Sequence, residues 1–399
     1  MRIAILQRRM DRLGGAERLV HNLASGLAEK GHTVDFFVQR FDEKFWGADA
    51  DRQYQIRFLR LNLVPRPLRL LMMGLYFRFR LRQYDIINIH NTYVHHWMIL
   101  AVLWNKKFPP VFWYCNEPRR ATWCDVLEPE QASAWRANML KKYWFKPLGR
   151  LRIAWQIYSY RFLDRLAVRR FSAVLANSHY AGRMIEKAFG IKPLVCHAGI
   201  RFAEADAPAP VAVPYWLLVS RMVFHKNVDG VLRAFAAVKK SGTPVLRLLL
   251  AGQGPDLGRL KALAAELGLE NDTEFTGYVD DTRLERLYAH AEFFIYIPVR
   301  EPFGLTLIEA MKYGVPVIGA SDGGGVEIVE AEKSGLLVAP EDAAAVTAAI
   351  ARLMADPDLR QRLGRAAREK TRAYYSIEKF VERFEAVCRE VCPEFKERV

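Results

Sequence analysis

The sequence predicts an α/β protein of two domains, each a parallel sheet with helices on its faces. Three observations carry that expectation. The chain has 399 residues, enough for two well-cored domains. Short apolar runs alternate with stretches of helical period through both halves, the pattern of repeated strand–helix–strand units. The alternation breaks once, in the Ala- and Pro-rich text from Ala203 to Pro214, so a linker is expected at 204–214, between domains at 1–203 and 215–375.

The elements follow in order. Arg2–Leu6 (RIAIL) is a short apolar strand, and Leu13-Gly14-Gly15 is a turn. A helix runs from Ala16, with Leu19, Val20, Leu23 and Leu27 on one face, and Thr33–Val38 is the next strand. Further strands are expected at IRFLRL, DIINIH, VFWYC and AVLANS. Beyond the linker the series resumes with the strands WLLVSR, VLRLLLAG, TEFTGYV, EFFIYI and VPVIGA. Helices are expected near Asp229–Lys240, Leu257–Leu267 and Thr282–Ala291, and again after Asp342. Open parallel sheets take ligands at the carboxyl ends of their strands, so a site in a cleft between the domains is expected.

Composition narrows the class. With 51% hydrophobic and 26% charged residues the chain is neither collagenous nor disordered. The longest purely apolar run, Trp97–Trp104, is far short of the ~20 residues a spanning helix needs. The opening MRIAILQRR lacks the apolar core of a signal peptide, and five cysteines fit reduced thiols, so a cytoplasmic protein is expected. The net charge of +15 is uneven: residues 1–200 carry 33 Lys and Arg against 15 Asp and Glu, whereas the remainder carries 26 against 29. Seven arginines and no acid lie between Ile56 and Tyr84, and ten basic residues with one acid, Asp164, between Arg136 and Arg170. Both stretches interleave the charge with Leu, Phe, Trp and Tyr, as in surfaces that lie on anionic lipid. RNA-binding signatures are absent, so no nucleic-acid partner is expected.

Two carboxylates, Glu301 and Glu309, bracket a glycine turn and a helix start after the strand EFFIYI. Carboxylates accept from sugar hydroxyls, and free N–H groups at a helix start favour phosphate. Arg221 ends a strand and Lys226 follows five residues later, a pair able to clamp a diphosphate. Gly14-Gly15 would admit a phosphate at the first strand–helix turn, although LGGAER is not the G-x-G-x-x-G fingerprint. Each feature alone is equally compatible with a solvated face.

Together, EPFGLTLIEAMKYGVPVIGASDGGGVEIV, SRMVFHKN, LLLAGQGP and GGAER resemble the retaining glycosyltransferases of family 4, of the GT-B fold. The resemblance spans nearly the whole chain and implies two Rossmann-like domains facing a cleft, with a C-terminal helix (376–399) crossing back to the first domain. It implies that Arg221 and Lys226 hold the donor diphosphate, Glu309 accepts from the ribose, and Glu301 contacts the donor sugar. The Phe303-Gly304-Leu305 backbone would lie against sugar and phosphate, and the Gly15 N–H against the diphosphate. His90 would face the donor sugar, with Asn88 where the family often has a second histidine. YCNEPRR resembles a subgroup that transfers mannose, here from GDP-mannose, onto lipid-linked or polysaccharide acceptors. That resemblance puts Asn116, Glu117, Arg119 and Arg120 on the acceptor side. No cofactor and no metal are expected at the donor pocket. The partners expected are a nucleotide-sugar donor, a lipid-linked or glycan acceptor and an anionic membrane surface at the cytoplasmic face. A nucleotide-sugar epimerase on the same fold and a soluble small-molecule glycosyltransferase are the rival readings. His95 and His96 are expected on a helix surface, since their spacing is not that of a zinc site and no Cys or Asp near them completes one.

Overall fold

The computed structural model describes residues 1–11, 14–46, 54–59, 68–90, 94–103, 107–127, 149–202, 214–242 and 246–393. The linker expected at 204–214 lies outside them except for Pro214. The chain forms two compact units, Met1–Gly199 with Phe380–Val399, and Ile200–Lys379.

The first unit is built on a seven-stranded sheet of order β3-β2-β1-β4-β5-β6-β7. Its strands are β1 (Arg2–Met10), β2 (Thr33–Phe41), β3 (Gln55–Phe58), β4 (Ile86–His90), β5 (Val111–Tyr114), β6 (Ala173–Ala176) and β7 (Leu194–Val195). Every pairing is parallel, and a helix precedes each of β2 to β7, as parallel crossovers require. The central strands read as unbroken buried runs, IAIL in β1 and IINIH in β4, because helices cover both faces. The second unit carries a six-stranded parallel sheet of order β10-β9-β8-β11-β12-β13. It comprises β8 (Tyr215–Val219), β9 (Arg247–Ala251), β10 (Thr273–Gly277), β11 (Phe294–Tyr296), β12 (Val317–Ala320) and β13 (Gly335–Val338). In both sheets the order reverses beside the first strand of the unit, the switch point at which such sheets open a crevice. Both units are therefore Rossmann-like.

The last helix, Ile377–Val391, belongs to the first unit from Phe380 onward. Phe380, Phe384 and Val387 form its buried stripe, with Phe384 edge-on to Phe112 and Phe380 edge-on to Tyr114. Glu385, on the same helix, is buried and accepts from Lys30 and from His32 Nε2 at 2.9 Å. Burial raises the Glu385 carboxyl pKa, but these bonds outweigh it and hold the group below its ordinary value. A carboxyl with a depressed folded pKa adds stability above its unfolded value, lost as pH falls through the folded one. We expect Glu385→Ala to cost about 2 kcal/mol at pH 7. Urea melts should show the gap between variant and wild type closing below pH 4, and a gap independent of pH would contradict this.

Candidate functional site

The residues expected to hold the donor, Gly15 apart, lie beyond the carboxyl ends of β8 and β11 in the second unit. After β8 the chain leaves through Ser220-Arg221 and a single 3-10 turn, Phe224–Lys226. Arg221 is exposed, and Lys226 is mostly covered. Lys226 Nζ donates to Glu301 Oε2 at 2.7 Å and to the Tyr296 hydroxyl at 2.7 Å. Tyr296 ends β11; burial, and then the Glu301 carboxylate, push its hydroxyl pKa well up, so it stays protonated. Glu309 lies on the helix Leu305–Met311 and accepts from the Tyr288 hydroxyl at 2.9 Å. The side chain of Phe303 turns into the core against Tyr375, which leaves the backbone of Phe303-Gly304-Leu305 as what this turn can offer a ligand.

The loop after β12 clamps this turn. Arg300, at φ +55°, donates its backbone N–H to Asp322 Oδ2 at 3.1 Å, and Gly324 N donates to Glu301 O at 2.8 Å. A Cβ on Gly324 would stand 2.1 Å from Pro302 O, so only glycine lets the two loops touch. The β8 loop is fixed in a similar way. A Cβ on Gly252 would stand 1.9 Å from Ser220 O, and Met222 N donates to Gln253 O at 3.0 Å. One cation, two carboxylates and two tyrosine hydroxyls are thus held by loops, helices and a strand end of one unit, an arrangement suited to a ligand that carries both phosphate and hydroxyls.

The remaining candidates lie in the first unit. Gly15 opens the helix Gly15–Glu29 and is exposed, while residues 12–13 of its turn lie outside the described ones. His90 ends β4, wholly buried and stacked on Tyr114, and its Nε2 accepts from Asn88 Nδ2 at 2.9 Å. Burial pushes the His90 imidazole down to about 3, so it is neutral near pH 7. It presents no accessible surface. Asn116 Oδ1 accepts from Asn177 at 3.3 Å, Glu117 pairs with Arg120 Nε at 3.0 Å, and Arg119 lies over the Tyr160 ring.

Two family models tile residues 13–370: "Glycosyltransferase Family 4" matches 13–202, and "Glycosyl transferases group 1" matches 202–370. The chain belongs to glycosyltransferase family 4. An uncharacterized glycosyltransferase of Methanocaldococcus jannaschii is 29% identical over 160 residues, a stretch covering 40% of this chain and 40% of that relative. The alpha-1,3/1,6-mannosyltransferase ALG2 of Rhizomucor pusillus is 26% identical, over 95% of this chain and 90% of its own. Among solved structures, Anabaena HepE in complex with UDP-glucose superposes with a TM-score of 0.72 at 19% identity, over 98% of this chain and 100% of that one. The two Rossmann-like units are those of the GT-B fold.

Within this family-4 chain several site residues escape sequence reasoning. Tyr288 and Tyr296 lie outside the quoted motifs, and Asp322, although inside one, is given no role by it; they declare themselves by the bonds they make to Glu309, Lys226 and Arg300. The two adjacent histidines require a correction. His95 and His96 are buried, not on a helix surface, and Asp164, far along the chain, accepts from both at 2.8 and 2.7 Å.

Proposed function

We propose that the protein is a retaining glycosyltransferase that moves a sugar from a nucleoside-diphosphate sugar to a lipid-linked or polysaccharide acceptor at a membrane surface. The observation that carries this is the contact of Lys226 with Glu301: the cation suited to the diphosphate touches the carboxylate suited to the sugar. The anomeric bond to be broken would lie where those two meet. As it breaks, the leaving diphosphate gains charge, and Arg221, Lys226 and the backbone N–H groups of the Phe303–Leu305 turn stabilise it. A retaining transfer of this kind lets the departing phosphate oxygen take the acceptor proton, so no protein nucleophile is required. Glu301 orients the sugar, and Glu309 accepts from the ribose. The mannosyltransferase name of the Rhizomucor relative and the UDP-glucose bound by Anabaena HepE support a nucleotide-sugar donor. GDP-mannose heads the candidates. The test is a panel of nucleotide sugars assayed for transfer or donor hydrolysis in excess chelator. One donor should be turned over at an unchanged rate without metal. No turnover of any donor, or activity lost on chelation and restored by Mg²⁺ or Mn²⁺, would overturn the site as described.

The membrane part rests on two helices of the first unit. On Gly149–Val168, Leu151, Trp155, Tyr158 and Phe162 recur at i, i+4, i+7 and i+11, all exposed, with Trp155 at 70%. On Arg69–Arg80, Leu71, Met72, Leu75, Tyr76 and Phe79 are exposed, with Phe79 at 68%. Arg80, Arg82, Arg165, Arg169 and Arg170 are exposed beside them. Residues 60–67 and 136–148 of the two basic stretches lie outside the described ones. Each cation near an anionic surface contributes ~1 kcal/mol, and the aromatic stripe adds buried apolar area. The protein should sediment with liposomes in proportion to anionic lipid and release at high salt. Binding that ignores both, or no binding, would contradict membrane docking. Among the described residues no helix is long and apolar enough to cross a membrane.

A further inference from the structure

We propose that His95, His96 and Asp164 form a buried site for a divalent transition metal, zinc by its ligand set, that staples two helices of the first unit. His95 and His96 are consecutive on the helix Val94–Leu103, and Asp164 lies on Gly149–Val168. One ligand atom from each lies within 4.8 Å of the other two. Two imidazole nitrogens and one carboxylate oxygen are a common transition-metal donor set, and Asp164 supplies the negative charge.

The surroundings favour a cation. Asp164 is 5% exposed, and among the described residues its ion-pair partners are the two histidines alone. Arg161 and Arg165, on its own helix, instead lie over the Trp123 ring, and Arg161 also bonds Thr122 O and Asp125. Among the described residues no arginine or lysine pairs with the buried Asp164 carboxylate, which faces the two imidazoles instead. Its second oxygen accepts from Trp123 Nε1 at 2.8 Å, so the carboxylate is held from behind as metal-bound carboxylates usually are, and the His95 ring packs flat on Trp113. An ion entering takes one nitrogen lone pair from each ring and Asp164 Oδ1. A neutral ring moves its N–H to the other nitrogen, and a charged ring releases one proton to buffer, so no further reactant is needed.

The inference does not depend on the glycosyl-transfer reading. It is tested on the full chain, stripped with chelator and titrated with Co²⁺ and then Zn²⁺. The expected result is one ion per chain, visible absorption of a low-coordinate Co²⁺ site, displacement by Zn²⁺, and a higher melting temperature with metal. His96→Gln and Asp164→Asn should weaken binding more than tenfold. Trp123→Phe, which removes the N–H behind the carboxylate together with part of a buried ring while leaving all three ligands in place, should weaken it about tenfold and keeps the test decisive if either ligand variant fails to fold. No stoichiometric binding, as a cluster held by protons alone would give, overturns the proposal. So does equal binding by all three variants.

Discussion

Lys226→Ala should lower kcat/KM for glycosyl transfer by about 10²–10³, the usual loss when one donor to developing charge is removed. The loss should fall mainly on kcat, because the diphosphate carries more charge in the transition state than in the bound donor. The same change strips Glu301 of its cation, since Lys226 Nζ holds both Glu301 and Tyr296 at 2.7 Å. Glu309→Gln should also cut transfer by about 10², but mainly through KM. A carboxylate placed on the ribose, as proposed, would hold donor and transition state alike, and the amide can still accept from Tyr288 through its oxygen. Circular dichroism should show both variants folded, because neither side chain is part of the apolar core of the second unit. Wild-type rates in either folded variant would remove the site as drawn.

Gly324→Ala should be nearly as damaging without touching a ligand-binding side chain. A methyl at this position would meet Pro302 O at 2.1 Å and the Phe303 Cα at 2.7 Å, both backbone atoms that no rotamer change can move. The turn Glu301–Leu305 must shift, and it is pinned to the same loop by Arg300 to Asp322 and from the β8 loop by Lys226 to Glu301. A displacement near 1 Å of groups that position a substrate costs about 10²-fold in rate. The sheet of the second unit should survive, with a melting temperature lowered by a few degrees. Unchanged kcat/KM in the alanine variant would show that the two loops do not set the geometry of Glu301.

The architecture was legible because its punctuation is local. Apolar runs such as RIAIL and DIINIH, the Gly14-Gly15 turn and the amphipathic period after it each report on a few adjacent residues. Two edge strands were not anticipated, Leu194–Val195 with two residues and Gly335–Val338 with four. A two-residue run such as Leu194–Val195 carries no period. The motif residues of the donor site could be named because they cluster in sequence around one turn, Glu301 to Glu309. Their supports could not. Asp322 acts through a backbone N–H of Arg300, and Gly252 through a close approach to Ser220 O; both sit in recognisable segments, but the contact each makes is with residues distant in the chain and only the fold shows it. His95 and His96 were misjudged for a related reason. An adjacent pair reads as one face and one edge of a surface helix until the carboxylate that faces both, Asp164, is brought in from another helix.

The most direct measurement is a calorimetric titration of a nucleoside diphosphate and its sugar conjugate into the wild-type protein and the Lys226→Ala and Glu309→Gln variants, without divalent metal. The account predicts one site per chain in the wild type and affinity at least tenfold weaker in each variant. Absence of binding to any nucleoside diphosphate, or equal affinity in all three proteins, would contradict it.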